Sequence, residues 1–210
     1  MKITVFGSTG PLGMELIKQA LEAGHAVVAF ARSIEKLSHL THERLDIIKG
    51  DLSNRTEIER AVTGVDAVIS LLGPKGKVMN TELSDGVKNI IESMESVGTK
   101  RLVALSTASV KDSQDRFDLK YSLLVSMIKI TVNSAYKEII RMGELIHASS
   151  LDWTLVRVGF LNNDKLQPIK VGYYGYGVVN VKISRASIAQ FMLDQAATAE
   201  YVRRSPAISN

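Results

Sequence analysis

Apolar runs of strand length recur along the chain. They are rich in Val and Ile, and polar residues do not alternate with apolar ones; the runs lie at residues 3–6, 26–30, 45–50, 67–72, 101–106 and 153–158. Uninterrupted apolar strands are typical of a parallel sheet that is covered on both faces. The pattern therefore predicts a sheet that is buried between two layers.

The segments between these runs have apolar residues three or four positions apart, as amphipathic helices do. They include Leu12, Leu16, Ala20 and Ala23; Ile58, Ala61 and Val62; and Val87, Ile90, Ile91 and Met94. Gly24 and Gly98 stand where helices are expected to end, and Asn54, with Glu57 three positions later, is typical of a helix start. This alternation predicts an α/β fold with a doubly wound parallel sheet of the Rossmann type.

The last third of the chain is less regular. Residues 173–181 (YYGYGVVNV) favour a hairpin-like segment, and residues 185–198 a closing helix. We expect a small C-terminal substrate-side region, and no linker separates it from the rest. The prediction is a single domain over residues 1–210.

Composition and charge limit the classes of binding partner that the chain is expected to have. The 26 basic and 22 acidic residues give a net charge of +4 and are scattered along the chain. This balance suits a small anionic ligand, and with 6% aromatic residues it does not indicate nucleic acid. Because no apolar run approaches the length of a membrane span, we expect a cytoplasmic protein with no membrane partner, as a monomer or small homo-oligomer.

The apolar segment 121–132 could cover a substrate cleft, form an oligomer contact or lie in the core.

Gly7, Gly10 and Gly13 follow the first apolar run and precede the first predicted helix. In that position glycines allow a tight turn, a close approach of the backbone to a diphosphate, and packing of the helix on the strand. The spacing is G-x-x-G-x-x-G, and the sequence contains no G-x-x-x-x-G-K-[ST] motif. A dinucleotide site is therefore predicted, against the alternative of a glycine-rich turn without a ligand.

The residues after the second run indicate which dinucleotide binds. NAD-binding folds usually place an acidic residue there, whereas a basic residue accommodates the 2′-phosphate of NADP. This chain has Arg32 and Ser33 at that point. NADP(H) is preferred over NAD(H), unless Arg32 is only a surface residue.

Two further groups carry weaker signals. His39 and His42 lack a third nearby ligand, so we predict no metal site. Lys75 and Lys77 follow the fourth run and either contact an anionic substrate or belong to a solvated turn, which Gly and Pro favour here.

Several segments together resemble a known family. VFGSTGPLG, ARS, KGDLSN, GVDAVISLLG, LVALST, SSLDWTLVRVGFL and ISRASIAQFML are similar to segments of the atypical short-chain dehydrogenase/reductases. Within that family, the NAD(P)H-binding group of NmrA-like and flavin reductase/biliverdin reductase B-like proteins is the most similar. The resemblance covers essentially the whole chain.

The resemblance implies a cofactor-binding role for residues at the ends of the predicted strands. The diphosphate would contact Gly7, Ser8, Thr9, Gly10, Pro11, Leu12 and Gly13; the adenosine half would contact Arg32, Ser33, Asp51, Leu52, Leu71, Leu72 and Gly73. The nicotinamide would lie near Ser106 and Thr107, closed over by the stretch from Arg157 through Val158 and Gly159 to Phe160.

The chain departs from the family pattern at two points. Standard members use Tyr-x-x-x-Lys, in which the lysine lowers the pKa of the tyrosine so that it delivers a proton. Here Val125 follows Tyr121 at that spacing and Ile140 follows Tyr136, so the catalytic residues are not assigned. Val158 also replaces the proline that is usual in the Arg-Pro-Gly stretch.

Two functions follow from the resemblance. The first is an NADPH-dependent reductase of a conjugated small-molecule acceptor such as a flavin or quinone, which solvent can protonate. The second is a non-catalytic protein that senses or regulates through NADP(H).

Overall fold

The computed structural model describes residues 1–74, 81–198 and 200–210. Ten strands lie in these ranges: β1 (Lys2–Phe6), β2 (Ala26–Ala31), β3 (Leu45–Lys49), β4 (Ala67–Ser70), β5 (Arg101–Thr107), β6 (Asp152–Val158), β7 (Phe160–Asn162), β8 (Lys170–Gly172), β9 (Lys182–Ser184) and β10 (Ala207–Ser209). The helices are α1 (Pro11–Glu22), α2 (Arg55–Val62), α3 (Glu82–Val97), α4 (Leu119–Thr131), α5 (Asn133–Ala148) and α6 (Arg185–Ala197), with a short 3₁₀ turn at Ile34–Leu37.

Eight strands form one sheet in the order β3-β2-β1-β4-β5-β6-β10-β8. All neighbours are parallel except β10 and β8, and β7 pairs with β9 in a separate parallel ribbon. The chain moves outward from β1 in both directions, so the order reverses between β1 and β4. The predicted doubly wound, Rossmann-type fold is confirmed.

Helices cover both faces of the sheet, which explains why the central strands are mostly apolar. Ile3 and Val5 pack with α1 and α6 on one face, whereas Phe6 and Val68 pack with α2, α3 and α5 on the other. Lys2 at the start of β1 is exposed, whereas the rest of β1 and all of β4 are buried. Thr4 is buried as well, and its hydroxyl donates to the carbonyl of Ala61 in α2.

The predicted helix boundaries are confirmed at three positions. The side chain of Asn54 accepts a hydrogen bond from the N–H of Glu57 at 3.3 Å and caps α2. Gly98 ends α3 with a φ of +81°, and Gly24, with a φ of +84°, follows α1. Strand β4, in contrast, ends at Ser70, two residues before the predicted end.

The predicted hairpin at residues 173–181 is wrong. Gly175 and Gly177 have positive φ, and the segment forms turns and irregular backbone. Its polar backbone groups bond to the loop after β5 instead: the N–H of Arg116 donates to the carbonyl of Tyr174, and the N–H of Tyr174 donates to Asp115. The preceding strand β8 pairs with β10, so residues 173–181 have no strand partner of their own.

The apolar segment 121–132 forms most of α4. Its apolar side chains do not all pack inward: Leu123 is 59% exposed, Met127 64% and Ile130 81%. Core burial is therefore the wrong alternative for these three residues. None of the helices in the described residues is both long enough and apolar enough to span a membrane.

A buried ion pair joins β6 to the loop after β5. Arg157 has no exposed surface and donates to both oxygens of Asp115, with Nη1–Oδ2 at 2.5 Å and Nη2–Oδ1 at 2.8 Å. Its remaining donors reach the carbonyls of Ser205 and Val110. The guanidinium is thus fully committed to the fold, and the backbone N–H of Arg157 donates to the carbonyl of Pro206. Arg157 therefore acts as a structural residue and lines neither of the two spaces near the glycine loop.

The surroundings of Asp115 keep it ionised. Burial alone would raise the pKa of this carboxyl, but hydrogen bonds from Arg157 and from the N–H groups of Asp112 and Tyr174 outweigh it and lower the pKa. The ring of Tyr174 also lies under the guanidinium, 4.7 Å from ring centroid to Arg157 Cζ. Asp115 and Arg157 therefore connect the loop after β5, the turn at Tyr174 and the segment at Ser205 that precedes β10.

Replacing Asp115 by Ala should lower the free energy of unfolding by about 3–5 kcal/mol, because it leaves the buried Arg157 charge unpaired. Asp164→Ala removes an exposed carboxylate elsewhere and should change stability by no more than about 0.5 kcal/mol. Urea unfolding followed by circular dichroism measures both. Equal stabilities for the two variants would contradict the role given to the ion pair.

Candidate functional site

The glycine loop connects β1 to α1 in a conformation that requires two of its glycines. Gly7 has a φ of +82°, and a Cβ there would lie 3.1 Å from the backbone of Leu71. A Cβ on Gly13 would collide with the carbonyl oxygen of Gly7 and lie 2.7 Å from that of Ser8. At Gly10 the nearest atom would be 3.5 Å away, an ordinary contact. The helix therefore begins directly against the loop.

The start of α1 is suited to an anion. Gly10 caps the helix without a side-chain hydrogen bond, Pro11 occupies its first turn, and that turn contains no acidic residue. The first N–H groups of a helix lack partners within the helix, and its dipole is positive at this end. The close approach of the backbone and the positive end of α1 together give this loop the properties of a diphosphate site.

Ser8 has a different role from its neighbours. Its side chain is buried, and the hydroxyl donates to the carbonyl of Phe30 at 2.8 Å. This bond ties the loop to the end of β2. Ser8 is not among the residues that line the groove described next.

A groove of about 1010 Å³ runs along the carboxyl edge of the sheet across β1 and its neighbours. Its predicted residues are Gly7, Thr9, Gly10, Pro11, Leu12, Gly13, Arg32, Asp51, Leu52, Leu71, Leu72 and Gly73. This volume is at the upper end of the usual range for ligand sites, about 300–1,000 Å³. The structure thus brings together most of the residues that the sequence assigns to the cofactor.

Arg32 follows β2 and lines the groove, exposed and close to Asp51. Hydrogen bonds from the N–H and hydroxyl of Ser53 hold the pKa of Asp51 below its usual value, and the nearby charge of Arg32 lowers it further. Ser33 precedes the 3₁₀ turn, exposed and outside the groove lining.

The sequence did not indicate the groove wall that α3 supplies. It is formed by Glu82, Leu83, Asp85, Gly86 and Asn89. A Cβ on Gly86 would lie 2.8 Å from the side chain of Leu52, and the amide of Asn89 donates to the carbonyl of Leu52 at 2.8 Å. This close packing was not visible from the sequence, because Gly86 lies inside an ordinary helical pattern.

A second cavity, of about 130 Å³, adjoins the groove between α5 and the ends of β5 and β6. Leu72, Gly73, Leu105 and Leu161 line both spaces. The predicted nicotinamide-side residues Ser106, Thr107, Val158 and Gly159 line the cavity, whereas Phe160 is 57% exposed and lines neither space. A Cβ on Gly159 would collide with the carbonyl of Val181, so this glycine lets β7 approach β9.

The surface of the cavity is almost entirely apolar. The helix α5 contributes Ile139, Met142, Gly143 and Ile146, and the sheet contributes Ala104 and Leu155. The polar side chains among its described lining residues are the hydroxyls of Ser70, Ser106 and Thr107, and none of these lining residues is titratable. The cavity therefore suits an apolar group and offers it no strong acid or base.

Tyr121 does not supply the missing acid. Its hydroxyl lies 3.2 Å from the carbonyl oxygen of Val179 and 3.1 Å from that of Asn180, and its ring packs against Tyr174 with centroids 4.0 Å apart. Burial, and then the charge of Asp118, raise the pKa of Tyr121. Both effects oppose the lowered pKa that a proton-donating tyrosine needs.

Other candidate groups add no chemistry to the site. No group of three or more His, Asp or Glu side chains that could hold a metal occurs in the part of the chain that the structure describes. The ring of His42 accepts a hydrogen bond from the N–H of Arg44. Lys75 and Lys77 lie outside the described residues.

The sequence matches one family model, described as NAD(P)H-binding, over residues 7–199. The yeast (Saccharomyces cerevisiae) UPF0659 protein YMR090W is 28% identical over 206 residues, which cover 92% of this chain and 86% of that protein. The photosystem II assembly factor Ycf39 of Synechocystis is 29% identical over 109 residues, 50% of this chain and 33% of the factor. The chain thus spans most of the yeast protein but only a third of the assembly factor.

Solved structures share the fold over the whole chain. An anaerobilin reductase of Escherichia coli, ChuY, superimposes with a TM-score of 0.81 at 17% identity, covering 97% of that chain. A short-chain dehydrogenase/reductase of Veillonella parvula in complex with NADP gives 0.81 at 18% identity and 94% coverage. The oxidoreductase ylbE of Lactococcus lactis gives 0.81 at 20% identity and 91% coverage. These likenesses establish the fold.

Gly13→Ala should destabilise the protein by about 1–3 kcal/mol, because the added methyl group has no room against the loop. Gly10→Ala is the matched control: it adds the same group where only an ordinary contact results, and its loss should be clearly smaller. Denaturant unfolding of the two variants measures the difference. If Gly10→Ala lowered the free energy of unfolding as much as Gly13→Ala does, the result would contradict the proposed packing of Gly13.

Proposed function

Because the chain belongs to the NAD(P)H-binding family, we propose that it is an NADPH-dependent reductase of a conjugated small-molecule acceptor such as a flavin or quinone. The observation that carries the proposal is the groove that leads from Arg32 past the glycine loop to an adjoining apolar cavity. A dinucleotide could extend along the groove with its nicotinamide at the cavity. The family match supports the nicotinamide cofactor.

The preference for NADPH rests on Arg32. It occupies the place after β2 where an acidic residue would take the ribose hydroxyls of NAD, and its guanidinium can bind a phosphate through two parallel hydrogen bonds. The groove lining has Asp51 nearby, but Ser53 holds that carboxylate in its own turn. Arg32 is therefore the group positioned to distinguish the two dinucleotides.

The chemistry of the cavity supports the proposed class of acceptor. A bound nicotinamide supplies a hydride, and the acceptor must also gain a proton to complete a two-electron reduction. The described lining residues of the cavity include no titratable side chain, and the Tyr121 hydroxyl is committed to backbone carbonyls. A conjugated acceptor suits such a site because it can take the proton from water.

A protein with the same fold carries out a reduction. ChuY, which shares the fold, is an anaerobilin reductase. A second candidate is a protein that binds NADP(H) without turnover, and the missing Tyr-Lys pair favours it. Turnover distinguishes the two candidates.

The purified protein should oxidise NADPH in the presence of at least one acceptor among free flavins, quinones and biliverdin. Stopped-flow absorbance at 340 nm measures the reaction, with titrated NADPH binding as the control. Tight binding of NADPH without oxidation by any of these acceptors would reject the reductase and favour the binding protein.

Arg32→Asp should weaken NADPH binding by about ten- to a hundredfold, because a charge-assisted hydrogen bond contributes about 1.5–3 kcal/mol. NADH binding should change much less. Isothermal titration of both dinucleotides measures this, with Arg60→Asp, an exposed arginine on α2 outside the groove lining, as the control for net charge. Equal losses for NADPH and NADH would remove the specificity role of Arg32.

A further inference from the structure

A second arginine, Arg185, lines the groove. It is the first residue of α6 and is partly buried, and the glycine loop and Leu161 line the same groove. Among the described lining residues, Arg32 and Arg185 are the two cationic ones. The sequence alone does not indicate a binding role for Arg185, because this residue lies far along the chain from the glycine loop.

Arg185 is held in place by neutral groups. Its Nη1 donates to the carbonyl oxygen of Asn162 at 3.1 Å and to Oδ1 of Asn163 at 2.5 Å. These bonds orient the guanidinium without neutralising its charge. Arg55, Arg141 and Arg157 each pair with a carboxylate, whereas Arg185, like Arg101, donates to neutral oxygens and forms no ion pair with any described residue.

The position of Arg185 in its helix is electrostatically unfavourable. The amino end of a helix is the positive end of its dipole, where a cation is destabilising and an anion is stabilising by about 0.3–1 kcal/mol. The first turn of α6 contains no acidic residue to offset this, and Ser184 caps it with a neutral hydroxyl. An anion bound at this point would offset the unfavourable interaction between the charge of Arg185 and the positive end of the helix dipole.

The start of α6 is fixed relative to the helix that follows the glycine loop. The amide of Gln19 in α1 donates to the carbonyl of Ala186 at 3.1 Å. Gly10 and Arg185, at the amino ends of α1 and α6, therefore line one groove on two helices that are packed together. A ligand extended along the groove therefore passes both the amino end of α1 and the Arg185 guanidinium at the start of α6.

We propose that Arg185 binds an oxyanion of the ligand in the groove and that this oxyanion is the diphosphate of the dinucleotide. The proposal rests on the proposed function for its cofactor. Arg32 then contacts the 2′-phosphate that only NADPH carries, whereas Arg185 contacts the part that NADPH and NADH share. A carboxylate or phosphate on the acceptor is the other source of the same chemistry, and the experiment separates it.

Arg185→Gln should weaken the binding of NADPH and NADH alike, by about tenfold each, the factor that corresponds to 1.4 kcal/mol. Isothermal titration measures both affinities. Binding of adenosine 2′-phosphate, which lacks the diphosphate, should not change. Arg185→Lys, which keeps the charge, should restore most of the affinity, and Arg60→Gln controls for the lost charge outside the groove.

Unchanged affinities for both dinucleotides in Arg185→Gln would overturn the proposal. If those affinities are unchanged while KM rises for flavin mononucleotide but not for riboflavin, Arg185 binds the acceptor's phosphate and the diphosphate assignment is wrong. An equal loss of adenosine 2′-phosphate binding would indicate a general structural defect and would also overturn it.

The outcome can be separated from that of the proposed function. Wild-type protein that binds NADPH but reduces no acceptor would reject the reductase, while the tenfold effect of Arg185→Gln on both dinucleotides would still support the diphosphate contact. Wild-type protein that binds neither dinucleotide would reject both proposals.

Discussion

A parallel sheet brings the carboxyl ends of all its strands to one edge, and the position of the groove depends on this constraint. The chain leaves β1 and β4 at that edge in opposite directions along the sheet, which opens a crevice between the two connections. The glycine loop, Arg32 and Leu71 follow three neighbouring strands and therefore meet there. No contact between these segments is needed to specify their common location.

The glycine loop then sets how closely the first helix can approach the sheet. Gly13 packs against the carbonyls of the turn, and Gly7 packs against the chain as it leaves β4. The hydroxyl of Ser8 fixes the same turn to β2. The loop is therefore held by three strands, so its N–H groups are oriented before any ligand arrives, which lowers the entropic cost of binding.

The sequence predicts the parts of the structure that depend on local pattern. The central strands follow from burial on both faces. The helix ends at Gly24 and Gly98 follow from the left-handed backbone that glycine allows, and the cap at Asn54 follows from a local hydrogen bond. Other features depend on distant partners: Gly86 is needed only because Leu52 packs on it, and Arg185 reaches the groove only through the packing of α6 on α1. The false hairpin at 173–181 has the same origin, because its backbone bonds to a loop almost 60 residues earlier.

The buried pair of Arg157 and Asp115 has a consequence for how this chain can diverge. Either residue alone cannot be replaced without leaving a charge in the interior, and lysine cannot reproduce the two parallel hydrogen bonds of the guanidinium. A lineage that loses the ion pair must therefore change both positions. A sequence in which only one of the two residues has been replaced would be of low stability. Among natural relatives these two positions should covary, and intermediates with one charged partner should be rare.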